Sequence, residues 1–364
     1  MRLPAYEDLI PEQLHVMDYP LDQPLFVAGP PGSGKTVLAV RRAGAASDGG
    51  NAVALVTYNR MLRRLATLLS EQGPIHRTMH RFAWHDYRNR TGNRPPEFAG
   101  GFSSYDYDWP AMIASLQGHR NAEATWDHVV VDEGQDLPEG FFRYLDQHAA
   151  VVLTVFADEE QALRDRKTTL TEIRAAANLP NPILLTENHR NVPEIAAMAE
   201  HFHSGELPVT RTRRPPIGQR PRLIRSSNAD TVELIGNWFE THGGTVGVVV
   251  HRNVVGERIH GELAQRLPDS RVDIYTSGSD NEDTIALLDD GVTILNKESV
   301  KGQEFDTLFI LQLEQFIPCY TEEMMRAMYM MCARARDYLF LMHVLPLSPA
   351  AEAALPGPDI LERG

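Results

Sequence analysis

Residues 25–36 read Leu-Phe-Val-Ala-Gly-Pro-Pro-Gly-Ser-Gly-Lys-Thr. A short apolar run, Leu25–Ala28, passes straight into Gly29, Pro30, Pro31, Gly32, Ser33, Gly34, Lys35 and Thr36. The second part is the full G-x-x-x-x-G-K-[ST] pattern, placed where a strand turns into a helix. Its spacing has a mechanical reason. Glycines let backbone N–H groups fold around a β-phosphate, the lysine reaches the β- and γ-phosphates, and the threonine hydroxyl ligates Mg²⁺. The setting after a strand gives the pattern its weight and implies a nucleoside triphosphate as ligand.

Working outward, strand-like and helix-like segments alternate. Thr36–Ala46 reads as a helix opened by the loop, Ala52–Thr57 as a second buried strand, and Asn59–Leu69 as a helix. His128–Val131 and Val151–Phe156 read as further strands. Such alternation predicts an α/β fold, a parallel sheet with helices on both faces. A second α/β unit is expected from strands at Ile183–Leu185, Arg222–Ile224, Thr245–Val250, Val272–Tyr275, Val292–Leu295 and Thr307–Leu311. Its helices are expected at Val192–His203, Thr231–Thr241, Val254–Arg266 and Glu322–Ala335. Asn178–Asn181 reads as a hinge. Residues 83–126, rich in Gly, Pro, Asn and aromatics, read as an insertion. They include Tyr87, Phe98, Phe102, Tyr105, Tyr107 and Trp109, which suit a small satellite core or a nucleic-acid or partner surface. From Pro346 onward the Pro-, Ala- and Gly-rich chain is expected to fray.

The chain has 364 residues, enough for two domains, with 43% hydrophobic and 23% charged residues, ordinary for a soluble globular protein. No stretch approaches the roughly 18 uninterrupted apolar residues of a membrane span, and the N-terminus lacks the apolar core of a signal peptide. Two cysteines, Cys319 and Cys332, argue against a disulfide scaffold or a zinc site and place the chain in the cytoplasm. The formal net charge of −14 disfavours strong, indiscriminate binding to nucleic acid, although a local basic groove remains compatible with it. Arg211–Arg225, with Arg211, Arg213, Arg214, Arg220, Arg222 and Arg225 among prolines, reads first as a solvated linker. It is also the best sequence candidate for a basic patch.

A second chemical motif ends the strand at Val129–Val131: Asp132-Glu133-Gly134-Gln135-Asp136. Acidic residues at the carboxyl end of a strand in an open α/β sheet face the ligand crevice. Asp132 is expected to hold Mg²⁺ and Glu133 to polarise the attacking water, since phosphoryl transfer needs in-line positioning and charge neutralisation.

With these residues in place the chain resembles the UvrD/Rep/PcrA group of superfamily-one DNA helicases, over roughly residues 11–345. Pro11-Glu12-Gln13 resembles the Q motif, whose glutamine reads adenine. Thr57-Tyr58-Asn59 and Thr78-Met79-His80-Arg81-Phe82 resemble two DNA-contacting motifs, and Asp132–Asp136 the DExQD box. Ala157-Asp158-Glu159-Glu160-Gln161 resembles GDxxQ, with Gln161 near the γ-phosphate. Asn188-His189-Arg190 resembles N-Y-R, Lys301-Gly302-Gln303-Glu304-Phe305-Asp306 resembles K-G-L-E-F-D, and Tyr329–Arg336 resembles Y-V-A-x-T-R-A.

The resemblance implies two tandem RecA-like P-loop domains, residues 1–178 and 179–345, then a flexible tail over 346–364, with the ATP site at the domain interface. It implies catalytic roles for Lys35, Glu133, Gln161, Arg190 and Arg334, the two arginines meeting the γ-phosphate. Gln13, Gly29–Thr36, His189, Gly302 and Glu304 would bind ATP, with His189 stacking on adenine and Glu304 touching the ribose. Thr36 and Asp132 would hold Mg²⁺. Tyr58, Asn59, Thr78, His80, Arg164 and Arg166 are the candidates for contact with single-stranded DNA.

Four departures from the family pattern stand out. The intervals between T-x-H-x-F and DEGQD, and between N-H-R and K-G-Q-E-F-D, are too short for the family's large insertions. Ala162-Leu163-Arg164-Asp165-Arg166 replaces base-stacking aromatics. Asn296 and Glu298 stand where DNA-facing Thr and His are usual, and Ala333 replaces a threonine before Arg334. Two functions are therefore expected. The first is a DNA-dependent ATPase, a single-strand translocase or helicase, suited to be the motor subunit of a nuclease or defence complex. The second is a nucleotide-gated regulatory or assembly subunit acting on a protein partner without moving along DNA.

Overall fold

The β1 strand, Leu25–Ala28, has no polar side chain and is buried along its whole length. A strand of that kind suits the middle of a parallel sheet, where both faces are covered. The computed structural model describes residues 6–58, 63, 67, 73–98, 107–117, 124–158, 168–204, 211–275, 289–297 and 299–364. The chain divides into two compact α/β units, one of Leu3–Pro30 with Gly34–Leu185 and the other of Thr186–Gly364, with which the short stretch Pro31–Ser33 also groups.

In the first unit β1 lies in a sheet with β2 (Val53–Thr57), β3 (Ile75–Thr78), β4 (Trp126–Val131), β5 (Ala150–Ala157) and β6 (Ile183–Leu184). The order is β3-β2-β4-β5-β1-β6 and every pairing is parallel. Flanking helices are α1 (Pro11–Asp18), α2 (Lys35–Ser47), α3 (Met79–Thr91), α4 (Trp109–Leu116), α5 (Glu139–Tyr144) and α6 (Leu170–Ala176). Ile183–Leu184 closes this sheet against β1, whereas the sequence reading assigned it to the second unit.

The stretch 83–126 is not a separate satellite core. Its first residues continue α3, whose Phe82, Ala83 and Tyr87 recur at helical spacing on the buried face. Tyr87, Tyr107 and Trp109 join Phe26, Val129 and Phe141 in the main core of this unit. Phe102 and Tyr105 lie outside the described residues, as does nearly all of the helix expected at Asn59–Leu69.

The second unit contains a two-stranded parallel pair, β7 (Glu187–Asn188) with β8 (Arg211–Thr212). Its main sheet is built from β9 (Arg222–Arg225), β10 (Thr245–Val250), β11 (Val272–Tyr275), β12 (Gly291–Asn296), β13 (Phe305–Ile310), β14 (Ala335–His343) and β15 (Glu362–Arg363). The order is β11-β12-β10-β13-β14-β9-β15, again all parallel. The helices are α7 (Pro193–Glu200), α8 (Asn228–His242), α9 (Asn253–Arg266), α10 (Glu322–Cys332) and α11 (Pro349–Ala353). These two parallel sheets flanked by helices are the tandem RecA-like architecture that the sequence implied.

Two expectations are corrected here. The helix expected to reach Ala335 ends at Cys332, and the apolar run Leu339–Met342 enters the sheet between β13 and β9. The segment 346–364 does not fray. Leu361 and Ala351 are buried, and β15 pairs with β9.

Candidate nucleotide-binding site

The loop after β1 owes its shape to two glycines. Gly32 (φ 79°) and Gly34 (φ 89°) occupy the left-handed region that side chains rarely adopt. At Gly34 a Cβ would also fall 2.8 Å from Gln13 Nε2. Gln13 is thus packed against the loop from α1, nearly buried, while its Oε1 accepts a hydrogen bond from the Ile10 amide at 3.3 Å. Gly29 anchors the loop to β5 through its amide and the Ala157 carbonyl, 3.3 Å. Lys35 opens α2, and its ammonium donates to the carbonyls of Gly29 (2.5 Å) and Pro30 (2.8 Å) and to Asp158 Oδ2 (3.2 Å).

At the end of β4, Asp132 and Glu133 are both buried. The Asp132 Oδ1 accepts from the Glu133 amide at 3.0 Å. Its Oδ2 is buried with no hydrogen-bond partner among the described residues. Burial, then the Glu133 charge, push the Asp132 carboxyl above the usual carboxylate range, while the neighbouring Thr36 hydroxyl and Lys35 ammonium pull it back. An unanswered carboxylate oxygen beside a hydroxyl is the oxygen-donor chemistry that Mg²⁺ takes, so Asp132 and Thr36 fit that ion.

Glu133 itself sits at φ 57°, ψ 46°, a left-handed conformation that is strained for a side chain of this kind. Gln135 braces it. The Gln135 Nε2 donates to Glu133 Oε2 at 2.5 Å, and its Oε1 accepts from the Asp158 amide at 2.8 Å. A continuous buried chain therefore links Glu133, Gln135, Asp158 and Lys35, joining the ends of β4 and β5 to the phosphate loop. Gln135 and Asp158 were not among the site residues expected from sequence. The signal was present in the spacing of DEGQD and in Ala157-Asp158, but their partners lie on other strands. Gln161 lies outside the described residues.

Within the second unit the structure brings the Arg190 loop onto the Arg334 turn. Asn188 Oδ1 accepts from the amides of Arg190 (3.0 Å) and Asn191 (3.1 Å) and so shapes the loop. Asn191 Nδ2 donates to the carbonyls of Ala333 (3.1 Å) and Ala335. The Arg190 guanidinium pairs with Glu304 (2.5 Å from Nη2) and donates from Nη1 to the Ala333 carbonyl at 3.3 Å. Arg214 binds the carbonyls of Arg190 and Arg336 and pairs with Asp337. Arg334, at the junction of α10 and β14, is buried, and its carbonyl accepts from the Phe305 amide at 3.0 Å. Glu304, expected to touch a ribose, is thus the carboxylate that positions Arg190. Gly302 takes φ 78°, and His189 is partly exposed, 3.9 Å from Glu187 Oε2.

Of the nucleic-acid candidates, Tyr58 packs against the first unit's core and Thr78 is the buried residue preceding α3. His80 is half-buried, with its ring edge-on to Tyr107 at 6.0 Å. Asn59, Arg164 and Arg166 lie outside the described residues, as does Glu298. Asn296 is an internal brace: it caps the Ser299 amide (2.9 Å) and binds Asn253 (3.2 Å). Much of the Arg211–Arg225 stretch is answered by acceptors, Arg213 by Glu187, Arg214 by Asp337, Arg220 by the Pro358 carbonyl and Arg222 by Glu362.

Comparison with known proteins gives the following likenesses. The C-terminal domain of a possible DNA helicase from Lactobacillus plantarum is 18% identical, with a TM-score of 0.34 over 48% of this chain and 98% of that one. The PRRSV helicase is 12% identical, with a TM-score of 0.44 over 91% of this chain. The chain spans about half of that helicase's length, 54%. No curated protein matches. No helix among the described residues is long and apolar enough to cross a membrane. Residues 15–165, a stretch that contains the Gly29–Thr36 loop and the Asp132–Asp136 turn, are similar to the AAA domain family AAA_19.

Proposed function

We propose that this chain hydrolyses ATP with Mg²⁺ and uses the cycle to move along single-stranded nucleic acid, DNA in the first instance. The observation that carries this reading is the buried chain from Lys35 through Asp158 and Gln135 to Glu133, beside the unanswered Asp132 oxygen. Bound Mg²⁺ would supply charge neutralisation at the phosphates. Lys35 and the loop amides hold those phosphates, and Thr36 and Asp132 hold the ion. Glu133, kept in place by Gln135, orients a water in line with the γ-phosphate and accepts its proton. Arg190 and Arg334 are carried over from the family resemblance as the cations that answer the transferred phosphoryl group, a role worth roughly 10³–10⁵ in rate where it is met.

Steady-state ATP turnover, with and without single-stranded DNA, RNA and duplex, tests the reading. Single-stranded DNA is expected to raise turnover at moderate salt, and Lys35→Ala to remove it under every condition. A folded, ATP-binding protein whose rate no nucleic acid changes would overturn the motor and leave the nucleotide-gated subunit.

A further inference from the structure

The α3 helix has two unlike faces. Met79, Phe82, Ala83, Asp86, Tyr87 and Arg90 are buried. The opposite side carries Arg81, Trp84, His85 and Arg88, which at 3.6 residues per turn fall within an arc of about 100°. Arg81 and Arg88 are exposed. Arg77, two residues before the helix, joins them: the charges of Arg77, Arg81 and Arg88 all act on the His85 ring and, after burial, hold its pKa down.

These three arginines gather at one face of the unit, and no carboxylate among the described residues answers them. Among the described residues Arg77, Arg81 and Arg88 form no ion pair, and Arg77 Nε is buried with no hydrogen-bond partner. Several arginines elsewhere are paired, whereas Arg94, Arg225 and Arg252 stand singly, exposed and without an ion pair among the described residues. Arg143 pairs with Glu139, Arg222 with Glu362 and Arg266 with Glu233 and Glu240. Even Arg90, on the buried side of the same helix, is paired with Asp86 at 2.9 Å. In a chain of net charge −14, these neighbouring guanidinium groups gather positive charge that no carboxylate among the described residues offsets. An anionic ligand offsets that charge.

The aromatic on this face narrows the ligand. Trp84 is half-buried, with the Arg88 guanidinium over its ring at 4.8 Å and the His85 ring edge-on at 4.9 Å. A flat ring with a guanidinium beside it is an arrangement that suits a base and its phosphate together. From Arg81 to Arg88 the helix rises about 10 Å. That matches about three phosphates at the 3.4 Å spacing of one stacked strand.

We propose that this face of α3, from Arg77 to Arg88, is a phosphate track for single-stranded nucleic acid, with Trp84 as its stacking platform. It rests on the motor reading above and names the surface through which the strand is held. Sequence reading looked for the basic patch at Arg211–Arg225, whose arginines are mostly answered within the fold.

The test is fluorescence anisotropy of a labelled oligothymidylate on the full chain, across a salt series, with binding of a fluorescent ATP analogue measured in parallel. Wild-type binding should weaken with salt. Arg81→Gln and Arg88→Gln should each flatten the log–log salt slope by about 0.7, the share of one single-strand phosphate contact. Lysine at either position should restore the slope, and Trp84→Leu should weaken binding roughly tenfold with the slope kept. ATP-analogue binding should be unchanged throughout. If wild type binds the oligonucleotide while the glutamine variants keep its affinity and slope, the track is overturned and the motor stands. If wild type binds ATP but no oligonucleotide, both fail. If polyglutamate displaces the oligonucleotide on an equal-charge basis and Trp84→Leu has no effect, the face serves an acidic protein instead.

Discussion

One amide, that of Gln135, decides whether the acidic turn can work. It spans two strand ends, with its nitrogen on the Glu133 carboxylate and its oxygen on the Asp158 amide. Glu133 sits in a left-handed conformation whose strain is of order 1–3 kcal/mol, tolerated because neighbours over-determine it. Gln135→Met keeps the volume and removes both bonds. An unsatisfied buried group costs about 1–3 kcal/mol, and loss of such a supporting partner typically lowers activity about 10–100-fold. Turnover of that variant should fall within this range while binding of an ATP analogue survives. An unchanged turnover would show that Gln135 does not position the carboxylate. Sequence reading could see that a glutamine belongs to DEGQD. It could not see the second bond, because Asp158 lies on another strand.

Among the helices, α2 does more than present Lys35. On its next two turns Arg42 is completely buried, with Nε donating to Thr154 Oγ1 (3.1 Å) and the guanidinium donating to the carbonyls of Val16, Tyr19 and Pro20. Burial lowers its pKa to about 10, which leaves it charged at neutral pH. This side chain ties the end of α1, and with it Gln13, to the helix that carries the phosphate loop. Arg42→Met would strand those carbonyls and should lower unfolding free energy by about 2–4 kcal/mol. Denaturant titration reads this as a lower midpoint at unchanged slope, and an unshifted midpoint would refute the tie. At this scale the strand-and-helix alternation was legible because each segment carries its own period. The helix expected over Glu322–Ala335 overruns the observed α10, which ends at Cys332, and no strand was expected at Ala335–His343, whose residues pair with β13 and β9. A local pattern does not say which neighbour will claim it.

At the scale of the whole molecule, acid should act through buried histidine. His128 is buried on β4, 2.9 Å from Thr154 Oγ1, and burial followed by the Arg42 charge lowers its pKa to about 4. In the unfolded chain the value returns to about 6.5, so between about pH 6.5 and 4 the unfolded state binds the extra proton. The resulting stability, of order 3 kcal/mol, is complete above pH 6.5 and lost as pH falls towards 4. His128→Gln should give a flatter Tm-against-pH curve in that window, and parallel curves would exclude the residue as the cause. Sequence alone determined the phosphate loop, the acidic strand end and the α/β alternation. Each depends on residues adjacent in the chain, glycines at fixed offsets after an apolar run or carboxylates just past a strand. Only the tertiary structure decided which charges are spent and which remain free. Arg222 meets Glu362 across 140 positions, while Arg88 and Arg90, two positions apart, lie on opposite faces of one helix. Pairing of charges depends on distance in space, and a helix sends near neighbours in sequence to different surroundings.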